Sequence, residues 1–414
     1  MSDSTDFTDS PASKCGKCGL CLAVCPVHRL LMEEQASPRA KIQLIESYNR
    51  NKLPSSPYLK ELINRCLMCG TCTANCPSGV DHYSHFMDMR QEMAKEHGDR
   101  IEIKGLVFLL AREQRLRLAA GMAKFGQSIV PEVFQKKYRL SNIPLDKFPQ
   151  LNKKPFRSVV PEEIPAKGKE LGIVLYFTGC ATNYIYDTTG HATLELLTAM
   201  GYRVRIPQQQ TCCSIPMLYH GGIEEARKNI EQNLQCFNQS DVAAIIVDCP
   251  TCGSALKKEF PAIMKKWDKD SNMAEAISTK VTDLMSFIYD RRDNLKIDEK
   301  KAATTGPVTY HAPCHLKNTF IPADRLLREL TCIDFIEAAD AFDCCGGGGT
   351  FFYEYPEIST KMAMQKIAGA KKTGAKLWLT DCPVCRINLS GRLTAADNIK
   401  MAHPACYLAG LLRH

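Results

Sequence analysis

The sequence predicts a multidomain α+β protein, an α-helical N-terminal domain followed by a tandemly duplicated α/β cysteine-rich module. Three observations carry that prediction. Two identical four-cysteine runs occupy the first 80 residues and are joined by sequence of helical character. A five-cysteine pattern beyond residue 165 recurs in register some 130 residues later. Within that duplicated half, short β-branched runs alternate with helical patterns. The expected divisions are residues 1–95 for the helical domain, 96–165 for a basic connector and linker, 166–300 for the first cysteine-rich domain and 301–414 for the second.

A chain of 414 residues exceeds what one hydrophobic core serves, which agrees with several domains. Hydrophobic residues make up 45% and charged residues 24%, the usage of a globular protein. No stretch approaches the roughly 20 consecutive apolar residues that cross a bilayer. The opening segment MSDSTDFTDSPASK has neither the basic start nor the apolar stretch of a signal peptide, so a cytoplasmic location is expected. Twenty-one cysteines in a long chain of this kind point to metal or redox chemistry rather than a disulfide scaffold. Cys236, Cys332 and Cys406 fall outside every motif and are expected to be small buried hydrophobes.

Cys15, Cys18, Cys21 and Cys25, followed by Pro26, read C-x2-C-x2-C-x3-C-P, and Cys66, Cys69, Cys72 and Cys76, followed by Pro77, repeat the pattern. Three thiolates at two-residue gaps hold three corners of a [4Fe-4S] cubane, while the fourth points to the other cluster. One cluster is therefore assigned to Cys15, Cys18, Cys21 and Cys76, and the second to Cys66, Cys69, Cys72 and Cys25. Gly16, Gly19 and Gly70 suit the tight backbone beside a cluster. Zinc also takes C-x2-C pairs, but it closes with four ligands and does not call for two identical runs of four. Between the runs, Ser37 and Pro38 form the N-cap and first-turn proline of a helix. This helical spacer resembles the two-cluster domain of succinate dehydrogenase iron-sulfur subunits.

The first copy of the repeat holds Cys180, Cys212, Cys213, Cys249 and Cys252, and the second holds Cys314, Cys344, Cys345, Cys382 and Cys385. The copies are offset by 134, 132 and 133 residues at successive landmarks, so they stay in register throughout. GIVLYF (172–177) and PVTYHA (307–312) read as strands that each deliver a cysteine, and AAIIVDCPTC and KLWLTDCPVC do the same later. The expected unit is a small parallel sheet with cysteines at the carboxyl ends of its strands. His311 and His315 flank Cys314 and read either as donors to a sulfur or substrate or as packing residues.

These two five-cysteine patterns resemble the CCG domain of heterodisulfide reductase catalytic subunits. The resemblance implies that each set holds a non-cubane [4Fe-4S] cluster, one on each group of five cysteines. A zinc site or a set of reduced structural thiols is the alternative in each copy. The first copy departs from the pattern, with Ser214 after Cys212-Cys213 where the second has Gly346 after Cys344-Cys345. Serine adopts the backbone angles of a tight wrap less readily, so the cluster reading is expected of the second set before the first.

Residues 101–170 carry 14 Lys or Arg against 7 Asp or Glu, which localises nearly all of the net charge of +8. KGLVFLLAREQRLRLAAGMAKFGQ mixes apolar and basic residues at helical spacing, as a membrane-surface or partner-docking helix does; a solvated face covering the two halves is the alternative. PQLNKKPFRSVVPEEIP reads as the linker into the repeat. No nucleic-acid motif accompanies the charge. Neither a G-x-G-x-x-G turn nor a P-loop is present, and the glycines at 346–349 read as wrapping for a cluster.

The order of parts resembles the iron-sulfur subunit of glycolate oxidase and D-lactate dehydrogenases, and shares the plan of heterodisulfide reductase D-type and anaerobic glycerol-3-phosphate dehydrogenase C subunits. The resemblance implies an electron-transfer subunit that receives electrons from a separate FAD subunit oxidising glycolate, D-lactate or another 2-hydroxy acid. The electrons would pass to a quinone or redox-protein acceptor. The basic helix read from the sequence itself adds the expectation of peripheral contact at the inner face of the cell membrane. Two rival classes remain at this point, a disulfide reductase whose CCG clusters act on substrate and a zinc-stabilised scaffold.

Overall fold

A computed structural model describes residues 14–267, 269–317 and 319–413. Ser37 caps its helix as its sequence position suggests, its Oγ accepting from the Ala40 N–H at 3.0 Å, with Pro38 in the first turn. The N-terminal region is helical throughout, comprising α1 (Leu20–Val24), α2 (Pro26–Leu31), α3 (Pro38–Asn49), α4 (Pro57–Asn64), α5 (Thr71–Ala74) and α6 (His82–His97). α6 continues through residue 95, where the sequence predicts a domain junction. Ile42, Ile45, Leu59, Ile63, Phe86 and Met93 form the core of this region, and that core runs on without a break into Met217, Ile230 and Phe237 of the first cysteine-rich copy. A smaller cluster, Val27 and Leu67 against Phe351 and Met362, fastens the same helices to the second copy.

Two helices follow, α7 (Ile101–Leu110) and α8 (Glu113–Ile129), then a short α9 (Glu132–Lys137) and a hairpin of β1 (Arg139–Leu140) and β2 (Ile143–Pro144). The expected linker is a packed strap. Phe156 is fully buried, and its ring occupies the space where a Cβ on Gly190 would lie, at 2.6 Å. Glycine at 190 is therefore required by close approach and not by backbone angle. The Glu113 carboxylate accepts from Arg157, from Asn183 Nδ2 at 3.1 Å and from the Tyr184 hydroxyl at 2.6 Å, which anchors the start of α8.

Among the described residues the first copy builds a five-stranded sheet from β3 (Glu163–Ile164), β4 (Gly172–Phe177), β5 (Tyr202–Arg205), β6 (Ala244–Val247) and β7 (Val281–Asp283), in the order β3-β5-β4-β6-β7. All pairings are parallel except β3 with β5. The second copy has β8 (Val308–Tyr310), β9 (Leu377–Leu379) and β10 (Lys400–Ala402), parallel and in the order β10-β9-β8. An isolated parallel bridge from Val308 to Phe335 stands where β5 stands in the first copy, so the duplication survives in topology while the second sheet is smaller.

Equivalent helix caps follow the last strand of each copy, and the second of them joins the copies. Asp283 accepts from Met285 N at 2.9 Å after β7, and His403 Nδ1 accepts from Ala405 N at 3.0 Å after β10. The His403 ring crosses to the other copy, where Nε2 donates to the Asp248 carbonyl at 2.9 Å. Burial lowers its pKa to about 3. The folded state thus binds fewer protons than the unfolded state below pH 6.5, so the stability from neutral His403 is complete above pH 6.5 and is lost as pH falls. Between pH 7.5 and pH 5 that loss is about 2 kcal/mol. Asp248 and Asp381, raised by burial to about 6 and about 7, titrate with the opposite sign. They are present in wild type and in His403→Gln alike, so urea unfolding of the pair isolates the histidine. The variant should lose about 2 kcal/mol less than wild type over that interval, and parallel pH profiles would refute the assignment.

Candidate iron-sulfur centres

The two N-terminal runs share one backbone. Lys17 and Gly19 have φ of 54° and 81°, and their counterparts Met68 and Gly70 have φ of 53° and 70°. These left-handed residues curl each loop so that three thiols converge while backbone N–H groups face inward. Met68 N donates to Cys66 Sγ and Val80 N donates to Cys76 Sγ, both at 3.4 Å, and His28 N donates to Cys25 Sγ at 3.5 Å. Two small cavities result. Cys15, Cys18, Cys21 and Cys76 line one together with Arg39 and His82. Cys25, Cys66, Cys69 and Cys72 line the other together with Lys41 and Tyr83.

Burial raises the Cys25 thiol to about 12 and the Cys72 thiol further, so deprotonation here needs a compensating positive charge. Part of it comes from Lys41, a fully buried ammonium whose Nζ donates to the Arg65 carbonyl at 2.7 Å. Burial lowers its pKa to about 8, and the Cys66 and Cys25 charges oppose that fall. The cysteine spacing gives no hint of Lys41, although its register with the inward residues Pro38, Ile42 and Ile45 of α3 marks it as a lysine on a core face.

Each cysteine-rich copy brings its five thiols together at the carboxyl ends of its strands. In the first, side-chain contacts link Cys180 to Cys212, Cys212 to Cys213, Cys213 to Cys252 and Cys252 to Cys249. In the second, the same order runs Cys314, Cys344, Cys345, Cys385 and Cys382, with Cys345 Sγ 3.0 Å from Cys385 Sγ. The second cysteine of each adjacent pair is the acidic one. Hydrogen bonds from Cys212 and Cys252 hold Cys213 well below its ordinary value, and those from Cys344 and Cys385 do the same for Cys345.

Ser214 adopts φ of 70° against 79° for Gly346, so the departure in the first copy leaves the turn in place. Its hydroxyl is buried and donates toward the Cys212 and Ala226 carbonyls at 3.4 and 3.3 Å. The glycines at 346–349 wrap the second set: Gly346 N donates to Cys344 Sγ and Gly347 N to Cys345 Sγ, both at 3.4 Å. His311 places a ring nitrogen within 4.8 Å of the Cys345 and Cys385 sulfurs. His315 instead bridges elements, contacting the Met68 carbonyl at 3.1 Å and Thr251 Oγ1 at 3.2 Å. Cys236, Cys332 and Cys406, expected to be buried, are only half-buried and pack at the margins of hydrophobic clusters, outside the cysteine sets themselves.

The sets adjoin. Cys69 of the second run is in hydrogen-bonding contact with Cys314 of the second copy. All ten cysteines of the two copies, together with Cys69, line one cavity of about 440 Å³. Leu116, Ala119, Ala120 and Ala123 of α8 and Tyr184 and Tyr219 supply apolar wall. Thiols brought together in fours and fives, largely buried, with backbone donors aimed at them and no carboxylate lining these cavities among the described residues, fit iron-sulfur clusters as the group held.

Comparison with known proteins agrees with this assembly. Residues 11–80 match the family described as 4Fe-4S dicluster domain, and residues 174–257 and 308–390 each match the family described as Cysteine-rich domain. The chain is 27% identical over 395 residues to the probable glycolate oxidase iron-sulfur subunit of Bacillus subtilis, covering 89% of this chain and 86% of that protein. It is 30% identical over 237 residues to lactate utilization protein A of a Geobacillus species, covering 56% of this chain and 97% of the relative. It is 29% identical over 236 residues to lactate utilization protein A of an Exiguobacterium species, covering 56% of this chain and 95% of the relative. The two halves of the chain and the order of its parts therefore have one explanation: it belongs to the family of iron-sulfur subunits of the glycolate-oxidase and lactate-utilization type, with a 4Fe-4S dicluster domain and paired cysteine-rich domains.

Proposed function

We propose that this chain is the electron-transfer subunit of a flavin-dependent 2-hydroxy-acid oxidoreductase, acting on glycolate or D-lactate through an FAD-bearing partner and delivering electrons to a quinone or another acceptor. The observation that carries the reading is serial order. The Cys15 set has an exposed member in Cys18, the Cys25 set lies deeper, and Cys69 touches Cys314 at the wall of the shared cavity. Iron-sulfur clusters on these thiols supply one-electron transfer. The chain's own residues hold the thiols at fixed spacing, oppose the buried negative charge with Lys41 and keep the cavity apolar. The names of the glycolate oxidase and lactate utilization relatives support the donor class.

One observation favours a second reading, a disulfide reductase: both five-cysteine sets are complete and line the same cavity. Full-length protein purified without oxygen, reduced with dithionite and freed of excess reductant separates the two. Mixed with a soluble quinone it should be reoxidised, and mixed with an organic disulfide it should release no thiol. Cys72→Ser should slow the quinone reaction at least about tenfold by removing one member of the series. Release of two thiols for every two electrons and two protons taken up, abolished by Cys345→Ser, would replace the relay reading with the reductase.

A further inference from the structure

α8 presents two different apolar faces. Leu116, Ala119 and Ala120, half-buried, line the shared cavity together with the more exposed Ala123. On the opposite side, Leu118, Met122, Phe125 and Ile129 are 70%, 76%, 66% and 61% exposed. Spacings of four, three and four residues place these four side chains in one line along the helix. α9 extends the exposure with Val133 and Phe134. A helix that merely covers a core turns polar residues outward, and this one does the reverse.

The charges lie at the margins of the stripe. Arg117 and Lys124 lie on one flank at helical spacing, and Arg115 on the other stacks its guanidinium 3.7 Å from the Phe108 ring of α7. Glu113, the acidic residue of α8, is turned inward to Arg157, Asn183 and Tyr184. An exposed apolar stripe with cationic borders and its acid withdrawn complements an anionic lipid surface, where apolar side chains enter the acyl boundary and Lys and Arg meet headgroups. A protein partner would have to cover this lysine- and arginine-bordered rim with acidic groups of its own. Among the described residues no helix is long and apolar enough to cross a membrane, so the contact is peripheral.

We propose that the outward face of α8 and α9 is a membrane-docking surface that seats this chain on anionic lipid with α8 in the plane of the interface. The cavity then lies one helix thickness, about 10 Å, from the acyl layer. Neither statement depends on which substrate the oxidoreductase uses.

Flotation of the full-length protein with phosphatidylcholine vesicles, with and without phosphatidylglycerol, tests it. Wild type should float with the anionic vesicles and be released as salt rises. Leu118→Glu with Phe125→Glu should lower that binding at least about tenfold while iron content stays at the wild-type level. Lys124→Glu should weaken binding to anionic vesicles and leave the neutral ones unchanged. Wild type that floats with neither vesicle, or a double variant that binds as wild type does, would overturn the proposal. Salt release of wild type reads the electrostatic part even if the double variant fails to fold. Sedimentation velocity reads the rival occupant: a dimer lost in the double variant, with no vesicle binding, would assign this face to a second copy.

Discussion

Replacing Cys76 by Ser should remove the cluster of the first cysteine run, and replacing Cys25 by Ser should remove that of the second. Cys76 lies in the cavity with Cys15, Cys18 and Cys21, more than fifty residues away in sequence, and Cys25 lies with Cys66, Cys69 and Cys72. The proline after Cys25 starts a new element: Cys25 caps α2 with Pro26 in its first turn, so the fourth thiol of the run is carried away from its own loop. Each variant should lose about four irons and four sulfides of the full complement. The second assay is reactivity. Cys18 is exposed, so the first site is the one an oxidant or chelator reaches. Cys25→Ser should therefore keep a rapidly bleached cluster, and Cys76→Ser should keep a slowly bleached one, read as the decay of visible absorbance in air. The opposite pairing of rates and variants would place each fourth cysteine on its own run.

The parts of this site that are legible in sequence are those encoded over a few residues. The two runs, the Ser37-Pro38 cap and the strand ending in Asp-Cys-Pro-x-Cys depend on local spacing, and each recurs in the structure. The contact of Cys69 with Cys314 joins residues 245 positions apart and has no local signal. The strap at Phe156 has the prolines and lysines of a linker, while the complementary event, a missing side chain at Gly190, lies in another element. The sequence shows α8 as apolar and basic residues at helical spacing, but not which of its apolar faces turns inward. Which apolar residues turn inward is decided by the anchoring of Glu113 to Arg157, Asn183 and Tyr184. The second sheet is smaller than the first because Phe335 makes a single bridge to Val308 where the first copy pairs four residues of β5 with β4.

Ser214 and Gly346 show where a rule about residue types stops and packing takes over, and substituting each by the other should have unequal effects. Both positions are left-handed, which costs a residue with a Cβ about 1–2 kcal/mol. At 214 the chain already carries that cost, offset in part by the hydroxyl bonds to Cys212 and Ala226. Ser214→Gly removes the strain and the bonds together and should change stability by less than about 1 kcal/mol. At 346 a Cβ would lie 3.0 Å from both Met362 Cβ and the Ser359 carbonyl oxygen, and 3.2 Å from Ser359 Cα. Those atoms belong to the 17-residue helix Pro356–Lys372, whose backbone does not yield cheaply. Overpacking then adds to the conformational cost, and Gly346→Ser should destabilise the protein by about 3 kcal/mol. Gly346→Ala should match it, since the clash is at Cβ and the hydroxyl plays no part. Urea midpoints of the three variants, with iron retained by each, give the comparison. The second five-cysteine set should lose its metal first in both Gly346 variants, because Gly346 N donates to Cys344 and Gly347 N to Cys345 on that turn. Equal destabilisation by Ser214→Gly and Gly346→Ser would mean that the left-handed backbone alone governs both turns and that the neighbouring helix gives way.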